Sequence, residues 1–115
     1  MTYKKIRLSY GKNRFDLNLK VCDSFEKFSG LMFTRREKAR ALLFDFKKPT
    51  KNAIHSWFVF FDFIAIWLDE NGKIIKFEVV KPFRFLVRPA RNYSKLIEIP
   101  MNGKYSRIVE TLVGS

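Results

Sequence analysis

The chain has no glutamine, one cysteine and one histidine in 115 residues, with only five glycines and four prolines. One cysteine, Cys22, excludes an internal disulfide framework, and on an apolar stretch it reads as a small core side chain. Such sparing use of cysteine suits a reducing cytoplasm, the expected location. One histidine, His55, cannot hold a metal without several partners. As an acid–base group it would need an oriented carboxylate, with Asp45, Asp62 and Asp69 as candidates, so a hydrogen-bonded structural role is the simpler reading. The sequence contains no glycine-rich phosphate loop, Cys-x-x-Cys pair, nucleophile elbow or His-Glu-x-x-His. No catalytic residue, metal or cofactor is therefore assigned. Long apolar runs are absent too: residues 57–68 form the most apolar segment, and Asp62 interrupts it. That is well short of the roughly 20 residues that span a bilayer. Residues 1–5 are polar and lead straight into a strand pattern, so no secretion signal is expected.

What the chain does have is positive charge and phenylalanine. Lys and Arg number 23 against 11 acidic residues, a net charge of +12. An excess of that size concerns partners rather than fold: nucleic acid, anionic head groups or acidic proteins. The missing glutamine beside abundant Lys and Ile is also a thermophile-like bias, which offers a purely compositional source for the charge. Thirteen phenylalanines favour strands and a thick β core.

Period-two alternation is plain along the chain. Ile6 and Leu8 share one face of residues 4–9, and Phe15, Leu17, Leu19 and Val21 share one face of 14–21. Gly11 and Asn13 between them suit a hairpin turn. Asp23 with Glu26 has capping-box spacing and predicts a short helix to about residue 29, stopped by Gly30. Further strands are expected at 41–46, 54–61, 64–68, 73–80, 96–99 and 108–112. Residues 54–61 are apolar on both faces and read as a central strand covered on both sides. Asn71-Gly72 marks a hairpin. The predicted fold is a single mainly β (α+β) domain over residues 1–115: a curved sheet or small barrel of seven or eight short strands, with one short helix after the second strand.

Two basic clusters stand out. Arg35, Arg36, Lys38 and Arg40 form the denser run; Lys81, Arg84, Arg88 and Arg91 form a second, interleaved with Phe83, Phe85 and Tyr93. Cations neutralise phosphates and aromatic rings stack on bases, so these residues, with Tyr93, are the candidate anion or nucleic-acid contacts. The plain alternative is a solvated loop whose rings face the core. His55 and Asp62 are candidate cleft residues, because an acid inside an apolar run needs a partner. An apolar strand such as 57–61 would pair across a dimer if it lay at an edge.

The order of landmarks resembles the family known as domain of unknown function 192, or uncharacterised protein family 0127, and its short archaeal-type members above all. These landmarks are Gly30-Leu31-Met32, then Arg35 and Arg36, Leu42-Leu43-Phe44, and Ile54-His55 before an aromatic stretch. Leu68-Asp69 with Gly72-Lys73, Lys81-Pro82-Phe83-Arg84, and Ile97-Glu98-Ile99-Pro100 with Gly103 complete the series. The resemblance covers about 21–103 and implies a compact, mainly β fold with no agreed activity, cofactor or substrate. One departure is visible: where the family has Pro, a hydrophobic residue and Asp, this chain has Asp62-Phe63-Ile64. The functional expectation is a non-enzymatic binding module for an anionic or extended ligand. The alternatives are a nucleic-acid-binding protein, or an enzyme using His55 with a nearby carboxylate.

Overall fold

A computed structural model describes residues 3–22, 31, 35–51, 53–54, 56, 59–84, 87–89 and 91–113. Six strands form one sheet: β1 (Tyr3–Tyr10), β2 (Asn13–Val21), β3 (Leu42–Thr50), β4 (Phe63–Leu68), β5 (Ile74–Val80) and β6 (Tyr93–Pro100). Among the described residues one α-helix, α1 (Ser106–Val113), follows β6 through a 3-10 turn, Gly103–Tyr105. The spatial order is β1-β2-β3-β6-β4-β5. β1 and β2 form the expected hairpin, with Gly11 at φ 60° in its turn. β2 and β3 run parallel, in register at Lys20–Leu42 and Val21–Leu43. The remaining pairs are antiparallel.

The sheet is curled into a half-barrel. Its two outer strands, β1 and β5, approach each other where Tyr10 meets Phe77 edge to face, 5.0 Å between ring centres. One apolar cluster fills the concave side: Leu8, Leu17, Leu19, Leu43, Ile64, Ile66, Ile97 and Ile99, with Leu112 of α1 buried among them. Ile108, Val109 and Leu112 recur with helical spacing, which aims one face of α1 into this cluster. The other side carries Phe44, Phe61, Phe63, Trp67, Val80, Val87, Tyr93 and Leu96. β4 and β6 are buried on both faces as a result.

Three sequence expectations change. The doubly covered strands are β4 and β6. Of residues 54–61, those described make no strand beyond one bridge, Ile54 to Val87. Their apolar side chains, Val59 and Phe61 among them, cover the sheet instead of extending it. Alternation cannot separate these cases, because a covering segment and a buried strand are equally apolar. Residues 108–112 belong to a helix and not to a last strand: β-branched Ile108 and Val109 mimic strand composition over too short a window. Among the described residues the strand count is six. The helix expected over 23–29 lies outside the described residues, as does His55. No helix among the described residues is long and apolar enough to cross a membrane.

The link from β6 to α1 is tied down by polar groups. Asn102 is buried; its amide donates to the carbonyls of Arg36 (2.7 Å) and Ala39 (3.1 Å), and its oxygen accepts from the Lys104 N–H (3.1 Å). The Tyr105 hydroxyl accepts from the Ala41 N–H at 2.8 Å. These bonds fasten the approach to β3 onto the end of β6. Among the described residues one ionisable acid is buried within the sheet. Glu98 is 5% exposed, flanked by Leu42 on β3 and Ala65 on β4. Burial pushes its carboxyl up from 4.5 to about 8.

Two measurements check this packing. Asn102→Ala removes three hydrogen bonds and takes the buried Ala39 carbonyl's side-chain partner away, while the Arg36 carbonyl keeps the Ala39 N–H, so a loss of about 2 kcal/mol is expected as a lower urea midpoint at unchanged slope. Glu98 holds its proton longer when folded than when unfolded. The folded state therefore binds more protons between pH 4.5 and about 8, and stability falls as pH rises through that window. Thermal melts of wild type should show this decline, and Glu98→Gln should flatten it and be the more stable protein at pH 9.

Candidate functional site

Both basic clusters can now be placed. Arg36 sits in a 3-10 turn, Arg36–Lys38, and its Nε donates to the Met101 carbonyl at 3.0 Å. On the other side of the same residue, the Met101 N–H donates to the backbone carbonyl of Asp62 at 3.1 Å. The Asp62 carboxylate in turn accepts from Lys81 Nζ at 2.6 Å. So Arg36 of the first cluster and Lys81 of the second, far apart in sequence, are linked through Met101 and Asp62 at the end of β6. Arg35 and Lys38 are exposed beside Arg36, and Arg40 lies over the Tyr3 ring, 6.0 Å from its centre.

The second cluster does not stay together. Arg91 lines a cleft of ≈490 Å³ with Lys51, Asp69 and Glu70, past the other end of β4. The six residues of that strand separate the two corners by about 20 Å. Asp69 there is a turn organiser: Oδ1 accepts from the N–H groups of Asn71 (2.8 Å) and Lys73 (2.9 Å). The Lys73 bond is the main reason its carboxyl lies below the usual carboxylate range. Arg88 is exposed, next to the Ile54–Val87 bridge. Tyr93 is 1% exposed, edge to face with Trp67 and Phe46, and burial, then the Glu98 charge, push its phenol up to about 12. A ring packed on both sides by the core offers no face for stacking.

A different aromatic pair takes that position. Residues 81–84 are folded around Ser56, which is fully buried. The Ser56 hydroxyl donates to the Lys81 carbonyl and accepts from the Arg84 N–H, both at 2.6 Å. Its backbone N–H donates to the Arg84 carbonyl, and its carbonyl accepts from the Phe83 N–H, both at 2.8 Å. Held at all these points, Phe83 has φ 61°, a left-handed backbone that is costly for a bulky residue. The turn carries its ring outward, 44% exposed, against Phe60, 61% exposed, with 5.5 Å between ring centres and planes at 73°. Lys81 and Arg84 begin and end the turn that carries Phe83; Lys81 pairs with Asp62, and Arg84 stands 3.8 Å from the Glu78 carboxylate. The corner formed by 59–62 and 81–84 thus combines two exposed rings, two cations and a backbone held in an unfavourable conformation.

Sequence reasoning named Phe83 among the interleaved rings and Asp62 as a cleft residue, but not Phe60. Phe60 lies within the apolar run 57–61, whose pattern has no mark to separate the ring that faces water from those that do not. Asp62 stands at the corner, paired, one residue before β4. Ile64, where the family pattern has its acid, is fully buried in the concave cluster. An acid there would sit in an apolar layer. At 62 it has water and Lys81.

Comparison with known proteins agrees with the architecture. The DUF192 family profile, described as an uncharacterized ACR, matches residues 7–109. UPF0127 protein TK1120 of Thermococcus kodakarensis is 34% identical over 86 residues, which cover 72% of this chain and 54% of that protein. The chain thus matches about half the length of this curated relative. Two solved structures share the fold. One, a protein of unknown function from Novosphingobium aromaticivorans, has a TM-score of 0.74 at 15% identity, over 92% of this chain and 78% of that one. The other, a Sinorhizobium meliloti protein named as a candidate transcription regulator, has a TM-score of 0.75 at 20% identity, over 94% and 88%. On the breadth of the profile match and the curated relative, this chain belongs to the DUF192, or UPF0127, family of uncharacterised proteins.

Proposed function

We propose that the domain is a non-enzymatic binding module for an anionic ligand with a flat or apolar part, engaged at the corner of residues 59–62 and 81–84. The observation that carries this reading is the exposed Phe60–Phe83 pair on a strained turn between Lys81 and Arg84. Exposed apolar residues are ordinary when single, whereas a contiguous pair held outward marks a contact surface. The ion pairs of Lys81 with Asp62 and of Arg84 with Glu78 are solvent-facing, and such pairs contribute little. An incoming anion can therefore exchange for either carboxylate at small cost, while the rings supply apolar contact.

Single-stranded nucleic acid is the second reading. It is favoured by the same combination of rings and cations, since bases stack on aromatic faces while the backbone follows positive charge. The +12 net charge adds long-range attraction for such a ligand.

Fluorescence anisotropy with a labelled oligothymidine, titrated across salt, tests both. Phe60→Ala with Phe83→Ala should weaken binding roughly tenfold or more per ring while leaving the salt slope in place. Lys81→Ala with Arg84→Ala should reduce that slope by about two contacts. Flat salt dependence would remove the nucleic-acid reading. A thermal-shift series with small anionic aromatic compounds at low salt then decides the broader one: no shift in any of them contradicts it.

A further inference from the structure

We infer that the cleft between the start of β2 and α1 is a binding site for a phosphoryl group. It measures ≈380 Å³, the size of a small-molecule site. Arg14 of β2, Lys104 of the 3-10 turn and Arg107 of α1 line it. No carboxylate lies within ion-pair distance of any of these three among the described residues. The one acid lining the cleft, Asp16, is already committed: Arg7 Nε meets one of its oxygens at 2.8 Å, and Arg7 Nη2 the other at 3.4 Å. That contact holds the Asp16 carboxyl below its usual range. Among the described residues the fold thus gathers three like charges around one hollow, and the single carboxylate there, Asp16, is paired with Arg7 and not with any of them.

The walls add to the effect. Phe15 and Ile108 line the same cleft and pack against the concave core cluster, so two apolar side chains lie beside the exposed cations. The three like charges sum to a positive potential in the hollow between them, which favours an anion there. Two of the three are guanidinium groups, whose planar donor forks match the oxygens of a phosphoryl group. Thr111 lines the opening and offers a hydroxyl, although in the free protein it donates to the Arg107 carbonyl at 2.9 Å. None of these residues belongs to the Phe60–Phe83 corner, so the two sites fail or stand separately. The phosphoryl group can come from a small phosphorylated compound or from a lipid head group.

Calorimetry of the full chain with inorganic pyrophosphate, at fixed ionic strength, is the test, with amide NMR shifts to locate the site. Binding is expected, with shifts in residues 13–16 and 103–108. Arg14→Ala with Arg107→Ala should weaken it at least tenfold, while Lys81→Ala with Arg84→Ala should leave it unchanged. Vesicles containing phosphatidylglycerol form the second arm. If they bind through the same two arginines and pyrophosphate does not, the cleft stands and the head group is the source. Failure of both probes to bind would overturn the inference. So would binding that survives loss of both arginines, or, should that variant not fold, wild-type shifts confined to other residues.

Discussion

β6 has to be covered on both faces, and the rest of the molecule follows from that. The strand pairs with β3 on one side and β4 on the other, so neither edge is open. Its side chains alternate between two separate apolar clusters: Ile97 and Ile99 on the concave side, Leu96 on the other. A strand of this kind cannot rest on a single layer. Helix α1 closes the concave side, and the segment containing Val59 and Phe61 helps to close the other. Each cover has to be anchored by polar groups, since irregular backbone laid over a core must satisfy its own N–H and C=O groups. Asn102 and Tyr105 anchor the first, and Ser56 the second.

The candidate surface is a product of that second anchoring. Ser56 cannot hold residues 81–84 at both ends without fixing the direction of the turn between them. That turn places Phe83 in the left-handed region and sends its ring toward Phe60. Strain and exposed apolar area on a single surface loop, each with a cost, are hard to attribute to stability, and this is the physical basis for reading the corner as a place of contact. The acid at 62 fits the same logic: a carboxylate just before β4 keeps water and a lysine, which one at 64 would lose.

The sheet was largely legible in the sequence. Strict alternation over 14–21, the Asn71-Gly72 turn and the apolar run before it lead directly to β2, β5 and β4, because a half-buried strand leaves a period of two. Legibility failed where an apolar pattern has more than one structural solution. Residues 54–61 could be read as a buried strand or as a covering segment, and only the third dimension separates them. Ile108 and Val109 carry strand-like composition in a helix too short to display its period. The basic clusters were readable as charge but not as positions: Arg36 and Lys81 are linked through Met101 and Asp62, while Arg91 lies at the far end of β4. The rings were hardest to read. Tyr93 and Phe60 are both aromatic residues in apolar surroundings, yet one is core and the other is surface.

The claim that β6 organises the domain is tested most directly by native-state amide hydrogen exchange. Residues 96–99 should exchange only through global unfolding and show the highest protection in the chain. Residues 4–8 of β1, paired on one side only, should exchange through cheaper local openings. If the β1–β2 hairpin proved more protected than β6, the account would be contradicted.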